Sequence, residues 1–120
     1  METGSTQNFD INGSFTINSG KSFDTNGRTM FVAKNWTNYG AFTHDNNIVR
    51  FDGSSNSTIT GSTTFYELEV NKTNNTYWVK PAASTTLHIT NLDVSHSTSG
   101  IPNGYFDATN SGLNIWTDSP

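Results

Sequence analysis

Two glutamates, Glu67 and Glu69, are separated by one residue in a stretch of alternating apolar and polar side chains. In an extended strand such residues lie on one face with their Cα atoms about 6.5–7 Å apart, within the range of paired acid and base carboxylates in glycosidases. A step of 19 residues aligns Arg50 and His88 with Glu69, and one further step reaches Asp107. This pattern indicates a polar face that could bind or cleave a saccharide.

The same residues fit a purely structural interpretation. If each step of 19 residues is one structural repeat, opposite charges at this spacing would pair between neighbouring repeats. Exposed ion pairs of this kind contribute about 0–1 kcal/mol each. Sequence alone indicates neither a pocket nor a raised carboxylate pKa, so we assign no catalytic residue. The candidate ligand-binding residues are Arg50, Glu67, Glu69, His88, Tyr105 and Asp107.

The elements that position these residues repeat along the chain. A largely apolar column recurs at the 19-residue step, and a second column lies two residues after it. Because two is the period of a β-strand and not of a helix, each repeat should contribute one strand at the same phase. The first column is Ile11, Met30, Val49, Leu68, Leu87 and Phe106, and the second is Gly13, Val32, Phe51, Val70, Ile89 and Ala108.

Two further apolar clusters in each repeat imply a coil with three sides. The corners are rich in Asn and Gly, which tolerate a left-handed backbone. The predicted fold is therefore an all-β, three-sided parallel β-solenoid of about six 19-residue coils. The alternative is an antiparallel β-sandwich, since Asn-Gly between short strands also signals a hairpin. We predict a flexible N-terminal segment at residues 1–8, a solenoid domain at 9–116 and a tail at 117–120.

Composition narrows the possible partners. The 120 residues are 32% apolar and 13% charged, with a net charge of −4, which suits a narrow core surrounded by polar turns. The few Lys and Arg residues are scattered singly, which argues against nucleic acid, and no apolar run is long enough to insert into a membrane. The chain has no cysteine, and its three histidines lack helix-face metal spacing, so we predict no metal and no cofactor.

Several segments resemble the repeats of large secreted bacterial β-helix proteins of the adhesin and autotransporter-passenger type. They are residues 35–40 (NWTNYG), 48–53 (IVRFDG), 59–61 (ITG), 63–68 (TTFYEL) and 91–97 (NLDVSHS). The resemblance covers most of residues 9–116. It implies a β-helix fold and secretion, and it implies structural repeats more than any particular activity.

These observations lead to two functional hypotheses. The first is a non-enzymatic, secreted structural or adhesive module of a cell-surface protein or fibre, which associates end to end with copies or further repeats of the same protein. The second is a carbohydrate-binding or carbohydrate-cleaving module whose polar outer face contacts a polysaccharide. The N-terminal residues carry no signal-peptide pattern, so secretion is expected from the resemblance alone.

Overall fold

The computed structural model describes residues 8–117, which form fifteen β-strands joined by short turns. The strands are β1 Phe9–Ile11, β2 Phe15–Ile17, β3 Ser22–Asp24, β4 Met30–Val32, β5 Trp36–Asn38, β6 Ala41–Thr43, β7 Ile48–Phe51, β8 Ser57–Thr60, β9 Thr63–Val70, β10 Trp78–Pro81, β11 Thr86–Asp93, β12 Ser97–Thr98, β13 Ile101–Pro102, β14 Tyr105–Phe106 and β15 Asn114–Thr117. Of the two predicted end segments, all but Asn8 and Thr117 lie outside the described residues.

Parallel pairing between successive turns of the chain builds three sheets. The first has the order β1-β4-β7-β9-β11-β15, the second β14-β10-β8-β5-β2, and the third contains β3 and β6. Among the described strands, β12 and β13 alone pair antiparallel, in a short hairpin. The parallel stacking confirms the predicted β-solenoid and rules out the β-sandwich, whose sheets would be antiparallel.

The prediction of six equal coils is wrong. Along the first sheet, Phe9 is in register with Met30, and the same column continues through Val49, Leu68 and Leu92. Successive turns therefore hold 21, 19, 19 and 24 residues, and the described chain makes about four turns. Along the first sheet, the 19-residue period holds only from Met30 to Leu68.

The later members of the predicted column lie elsewhere because two corners lengthen. Leu87 is in register with Thr63 and does not stack on Leu68, although Leu68 and Leu87 are both fully buried. Phe106 pairs with Val79 in the second sheet. The corner between the first and second sheets grows to residues 71–77 in the fourth turn, and the corner after the second sheet grows from residues 61–62 to residues 82–85. Together they move the later residues out of the 19-residue phase.

The third side of the coil ends after two turns. In the first turn its corner contains Asn26 and Gly27 with φ values of 53° and 78°. In the register of the first sheet, the equivalent positions of the third turn hold Thr64 and Phe65, which do not favour a left-handed turn. The chain therefore stays extended there, and β9 runs from the third side into the first sheet as one strand of eight residues.

Trp36 lies at the centre of the core and is fully buried. Its ring centroid is 4.8 Å from that of Phe15, 4.9 Å from Phe42 and 5.0 Å from Phe65, so aromatic contacts connect three successive turns. The indole Nε1 donates a hydrogen bond to Thr63 Oγ1 at 3.2 Å, which satisfies the one polar atom of that side chain.

One core position holds a charged side chain, Lys72, which is 1% exposed. Its Nζ donates hydrogen bonds to Ser57 Oγ at 2.6 Å, to the Asp52 carbonyl at 2.7 Å and to the Ala33 carbonyl at 3.2 Å. The ammonium thus satisfies buried acceptors from two earlier turns. Burial, opposed in part by the Asp52 carboxylate, lowers the pKa of Lys72 to about 8.

Candidate functional site

A row of outward-facing side chains crosses five strands of the first sheet. The row exists because these positions alternate with the buried column along each strand. It contains Asp10, Phe31, Arg50, Glu69 and Asp93, each in register with the next. The polar end of this row contains two of the predicted candidate residues, Arg50 and Glu69.

Arg50 is held between its two neighbours in the row. Its guanidinium carbon lies 5.1 Å from the centroid of the Phe31 ring, and its Nε lies 2.5 Å from Glu69 Oε1. Glu69 is 4% exposed, so this ion pair is shielded on the carboxylate side. The predicted contact between Arg50 and Glu69 is confirmed, and it is more buried than an exposed ladder would be.

Glu67 and Glu69 lie two residues apart on β9, and the protonation of each carboxyl group affects the other. Hydrogen bonding to Glu69, partial burial and the negative charge of Glu69 raise the pKa of Glu67. Burial disfavours the charged form of Glu69, but hydrogen bonds from Glu67 and Arg50 outweigh it and lower the pKa of Glu69. Two adjacent carboxyl groups therefore differ in their acidity because Arg50 contacts one of them.

The sequence reasoning missed two members of this cluster, Asp93 and His96. His96 Nε2 lies 3.3 Å from Glu69 Oε1 and 3.7 Å from Asp93 Oδ2. The hairpin β12–β13 holds the histidine in place, and the Asn103 amide donates a hydrogen bond to the His96 carbonyl. The hydroxyl and amide of Ser95 donate to Asp93 Oδ1, and these hydrogen bonds lower the pKa of Asp93.

The structure does not bring together all six predicted residues. Arg50, Glu67 and Glu69 lie side by side, but His88 is in register with Thr64 and Trp116, on the first half of β11. Tyr105 and Asp107 belong to the second side of the coil.

These misplacements follow from the change in turn length. Tyr105 pairs with Trp78 in the second sheet. The Asp107 carboxylate lies 3.4 Å from Lys80 Nζ, and hydrogen bonds from Thr109 lower its pKa. A step of 24 residues from Glu69, with the alternation around Leu92, would have reached Asp93.

A groove on the third side is a separate surface feature. Two adjoining depressions of about 290 and 390 Å³ lie along β6 and share Phe42 and Thr64. Within residues 8–117 the third sheet ends at β6, because β9 pairs with β7 and β11 instead. Asn38, Thr63, Thr86 and His88 line one half, and Thr43, His44, Asp45 and Asn46 line the other.

Two aromatic residues lie beside this groove. The Tyr66 ring is 5.7 Å from that of His44, and Tyr66 is 37% exposed. Trp116, which is in register with His88, is 62% exposed. This side of the coil therefore carries hydroxyl, amide and imidazole groups together with two exposed aromatic rings.

Comparison with known proteins gives no relative for this chain: no family model, no curated protein and no solved structure matches it. Within residues 8–117, no helix is long and apolar enough to cross a membrane.

Proposed function

We propose that this chain is a non-enzymatic structural or adhesive module of a secreted cell-surface protein or fibre, in which coils stack end to end. The repeats that resemble those of secreted bacterial β-helix proteins support this localisation. The observation that carries the proposal is the open edge of the first turn, formed by β1, β2 and β3. Within residues 8–117 each of these strands has a single neighbour in its sheet.

The hydrogen bonds from β2 to β5 and from β1 to β4 identify which backbone amides and carbonyls point toward the open edge. The Phe15 amide donates to Asn35, and the Ile17 carbonyl accepts from Tyr39, both toward β5. Because alternate residues of a parallel strand bond to opposite neighbours, the amide and carbonyl of Thr16 point to the open edge. The same pattern in β1, where Phe9 and Ile11 bond toward β4, leaves Asp10 facing that edge.

The open edge also exposes part of the core. Phe9, Ile11, Phe15 and Phe23 are half-buried and pack against the buried core. The Phe23 ring lies 5.5 Å from that of Phe9 and 5.1 Å from that of Phe15. Unpaired strands around an apolar centre template further parallel pairing, so another coil would bury this aromatic cluster.

The carboxylate pair supports a role other than hydrolysis. Retaining glycosidases separate their two carboxyl groups by about 5–5.5 Å, and inverting enzymes by more, so that substrate or water fits between them. Glu69 is 4% exposed, so its carboxylate has little access to a substrate. Arg50 and His96 also contact Glu69 and restrict its access to a substrate.

A proline at the open edge tests the proposal. Thr16→Pro removes the outward amide without removing a hydrogen bond to β5, and Thr16→Val retains the amide as a matched control. In sedimentation over a concentration series, the wild type and Thr16→Val should form dimers or longer assemblies, and Thr16→Pro should stay monomeric. Electron microscopy of concentrated samples should show rods or fibres for the first two. A wild-type chain that stays monomeric at millimolar concentration would refute end-to-end stacking.

The groove along β6 favours a second candidate function, the binding of a polysaccharide by an adhesive module. Its hydroxyl, amide and imidazole groups can hydrogen-bond sugar hydroxyls, and the exposed rings of Tyr66 and Trp116 offer faces for sugar rings. Clefts with a few polar groups among aromatic side chains are typical of ligand sites. This candidate places the ligand on the third side and not on the face of Glu67 and Glu69.

Aromatic variants distinguish binding in the groove along β6 from binding on the face of Glu67 and Glu69. Binding to a panel of plant and bacterial polysaccharides should weaken in Trp116→Ala and persist in Tyr105→Ala, because Tyr105 is also exposed, at 44% compared with 62% for Trp116, but lies on the second sheet. If Glu69→Ala instead loses binding or turnover while Trp116→Ala binds like the wild type, the ligand lies on the face of Glu67 and Glu69 that the sequence predicted.

A further inference from the structure

The cluster around His96 combines ligand types that suit a transition-metal ion. One oxygen of Glu69, one oxygen of Asp93 and a ring nitrogen of His96 all lie within 4.8 Å of one another. They come from β9, from β11 and from the segment before β12, so the fold and not local sequence brings them together. We propose that Glu69, Asp93 and His96 form a Zn²⁺ site that fastens the hairpin β12–β13 to the first sheet.

The distances between donor atoms agree with this coordination. Zn²⁺ binds imidazole nitrogen and carboxylate oxygen at about 2.0–2.2 Å in a tetrahedron, which places neighbouring donors about 3.4 Å apart. His96 Nε2 lies 3.3 Å from Glu69 Oε1 and 3.7 Å from Asp93 Oδ2. Three protein ligands leave the fourth position to water, toward the solvent side of the half-buried histidine.

The surroundings hold two of the ligands in position. Ser95 donates two hydrogen bonds to Asp93 Oδ1, at 2.6 and 2.9 Å, which leaves Oδ2 directed toward His96. Arg50 Nε and His96 Nε2 both contact Glu69 Oε1, and a carboxylate has enough lone pairs to accept a hydrogen bond from the guanidinium and bind a metal at the same time. Such outer contacts orient metal ligands in known sites.

The local charge also favours a cation. The carboxylates of Glu69 and Asp93 both interact with the guanidinium of Arg50, and a third carboxyl group, that of Glu67, lies two residues from Glu69 on β9. With His96 neutral, as a metal ligand must be, the cluster carries an excess of negative charge that a divalent ion would neutralise. The mixture of imidazole and carboxylate suits Zn²⁺ better than Mg²⁺ or Ca²⁺, which prefer oxygen ligands alone.

Calorimetric titration of the full chain with ZnCl₂ tests the site, with MgCl₂ and CaCl₂ as comparison ions. One equivalent of Zn²⁺ should bind, and His96→Gln and Asp93→Asn should each weaken binding at least tenfold. His44→Gln is the matched control, because His44 lies in the groove on the third side, and it should bind like the wild type. Circular dichroism would confirm that each variant is folded.

A second measurement distinguishes this site from non-specific binding to histidine. In NMR spectra, one equivalent of Zn²⁺ should shift the imidazole signals of His96 and leave those of His44 and His88 in place. Absence of saturation at millimolar Zn²⁺, unchanged affinity in both His96→Gln and Asp93→Asn, or equal shifts of all three histidines would overturn the proposal. Because the cluster lies away from the open edge of the first turn, these results are independent of end-to-end stacking.

Discussion

Replacing Lys72 by methionine should remove a specific pH dependence of stability. Burial lowers the pKa of Lys72 in the folded chain to about 8, compared with an ordinary value of 10.5. Between these values the unfolded chain keeps the proton and the folded chain releases it. Since the unfolded state then binds more protons, the free energy of unfolding rises with pH across this interval.

The size of the effect follows from the difference between the two pKa values. Each pKa unit corresponds to about 1.4 kcal/mol, so the contribution of Lys72 should grow by about 3 kcal/mol from pH 8 to pH 10.5. In Lys72→Met this slope disappears. The buried oxygens of Asp52 and Ser57 also lose a donor, which shifts the whole curve of the variant downward, but that loss does not depend on pH.

Urea unfolding at a series of pH values measures this difference directly. Subtracting the Lys72→Met curve from the wild-type curve cancels the titration of tyrosines and other lysines. Lys34→Met, at an exposed position, is the control and should leave the wild-type slope unchanged. If the wild-type and Lys72→Met curves run parallel, the reasoning is refuted, and the three oxygen acceptors fully compensate the burial of the ammonium.

Three further predictions concern the core, a corner and the ion pair. Leu68→Asp should unfold the domain by burying an unpaired charge, whereas Glu69→Ser should cost about 1–2 kcal/mol in urea unfolding; equal effects would contradict the assigned faces. Gly61→Ala should lower the melting temperature strongly, because φ is 89° and a Cβ would collide with a backbone carbonyl, and Gly13→Ala, with open space around it, should not. Arg50 helps to lower the pKa of Glu69, so the ionised carboxylate stabilises the fold above its ordinary pKa of 4.5, and this stabilisation is lost as the pH falls below that value. In Arg50→Met, the free energy of unfolding should therefore decrease less steeply with falling pH, as measured by unfolding at a series of acidic pH values.

The part of the fold that sequence could predict is the part with a constant turn length. From Met30 to Leu68 the buried column, the outward row and the pair of Arg50 and Glu69 all have the predicted register. Alternation of apolar and polar residues determines which side chains face inward, and a constant spacing determines which of them stack. Where both conditions hold, sequence predicts contacts between turns.

Beyond Leu68 apolar and polar residues still alternate along each strand, but the spacing between turns is no longer constant. Leu87 faces inward as predicted, but its neighbour is Thr63, because corners of different length separate the later strands. A corner can gain residues without changing the alternation within a strand, so an apolar column can continue while the stacking register is lost. His96 illustrates the same limit, since a hairpin brings it to Glu69 across 27 residues and no local pattern signals that contact.

The long strands β9 and β11 have a mechanical consequence. Their ladder contains six paired residues, compared with two to four in the other ladders of residues 8–117. A force applied to the chain ends would unwind the coil one turn at a time, and each turn of 19 to 24 residues would release roughly 65–85 Å of chain. The early turns, with strands of three or four residues, should yield first under load. The β9–β11 pair would then act as a stop that keeps the centre of the coil intact while its end extends.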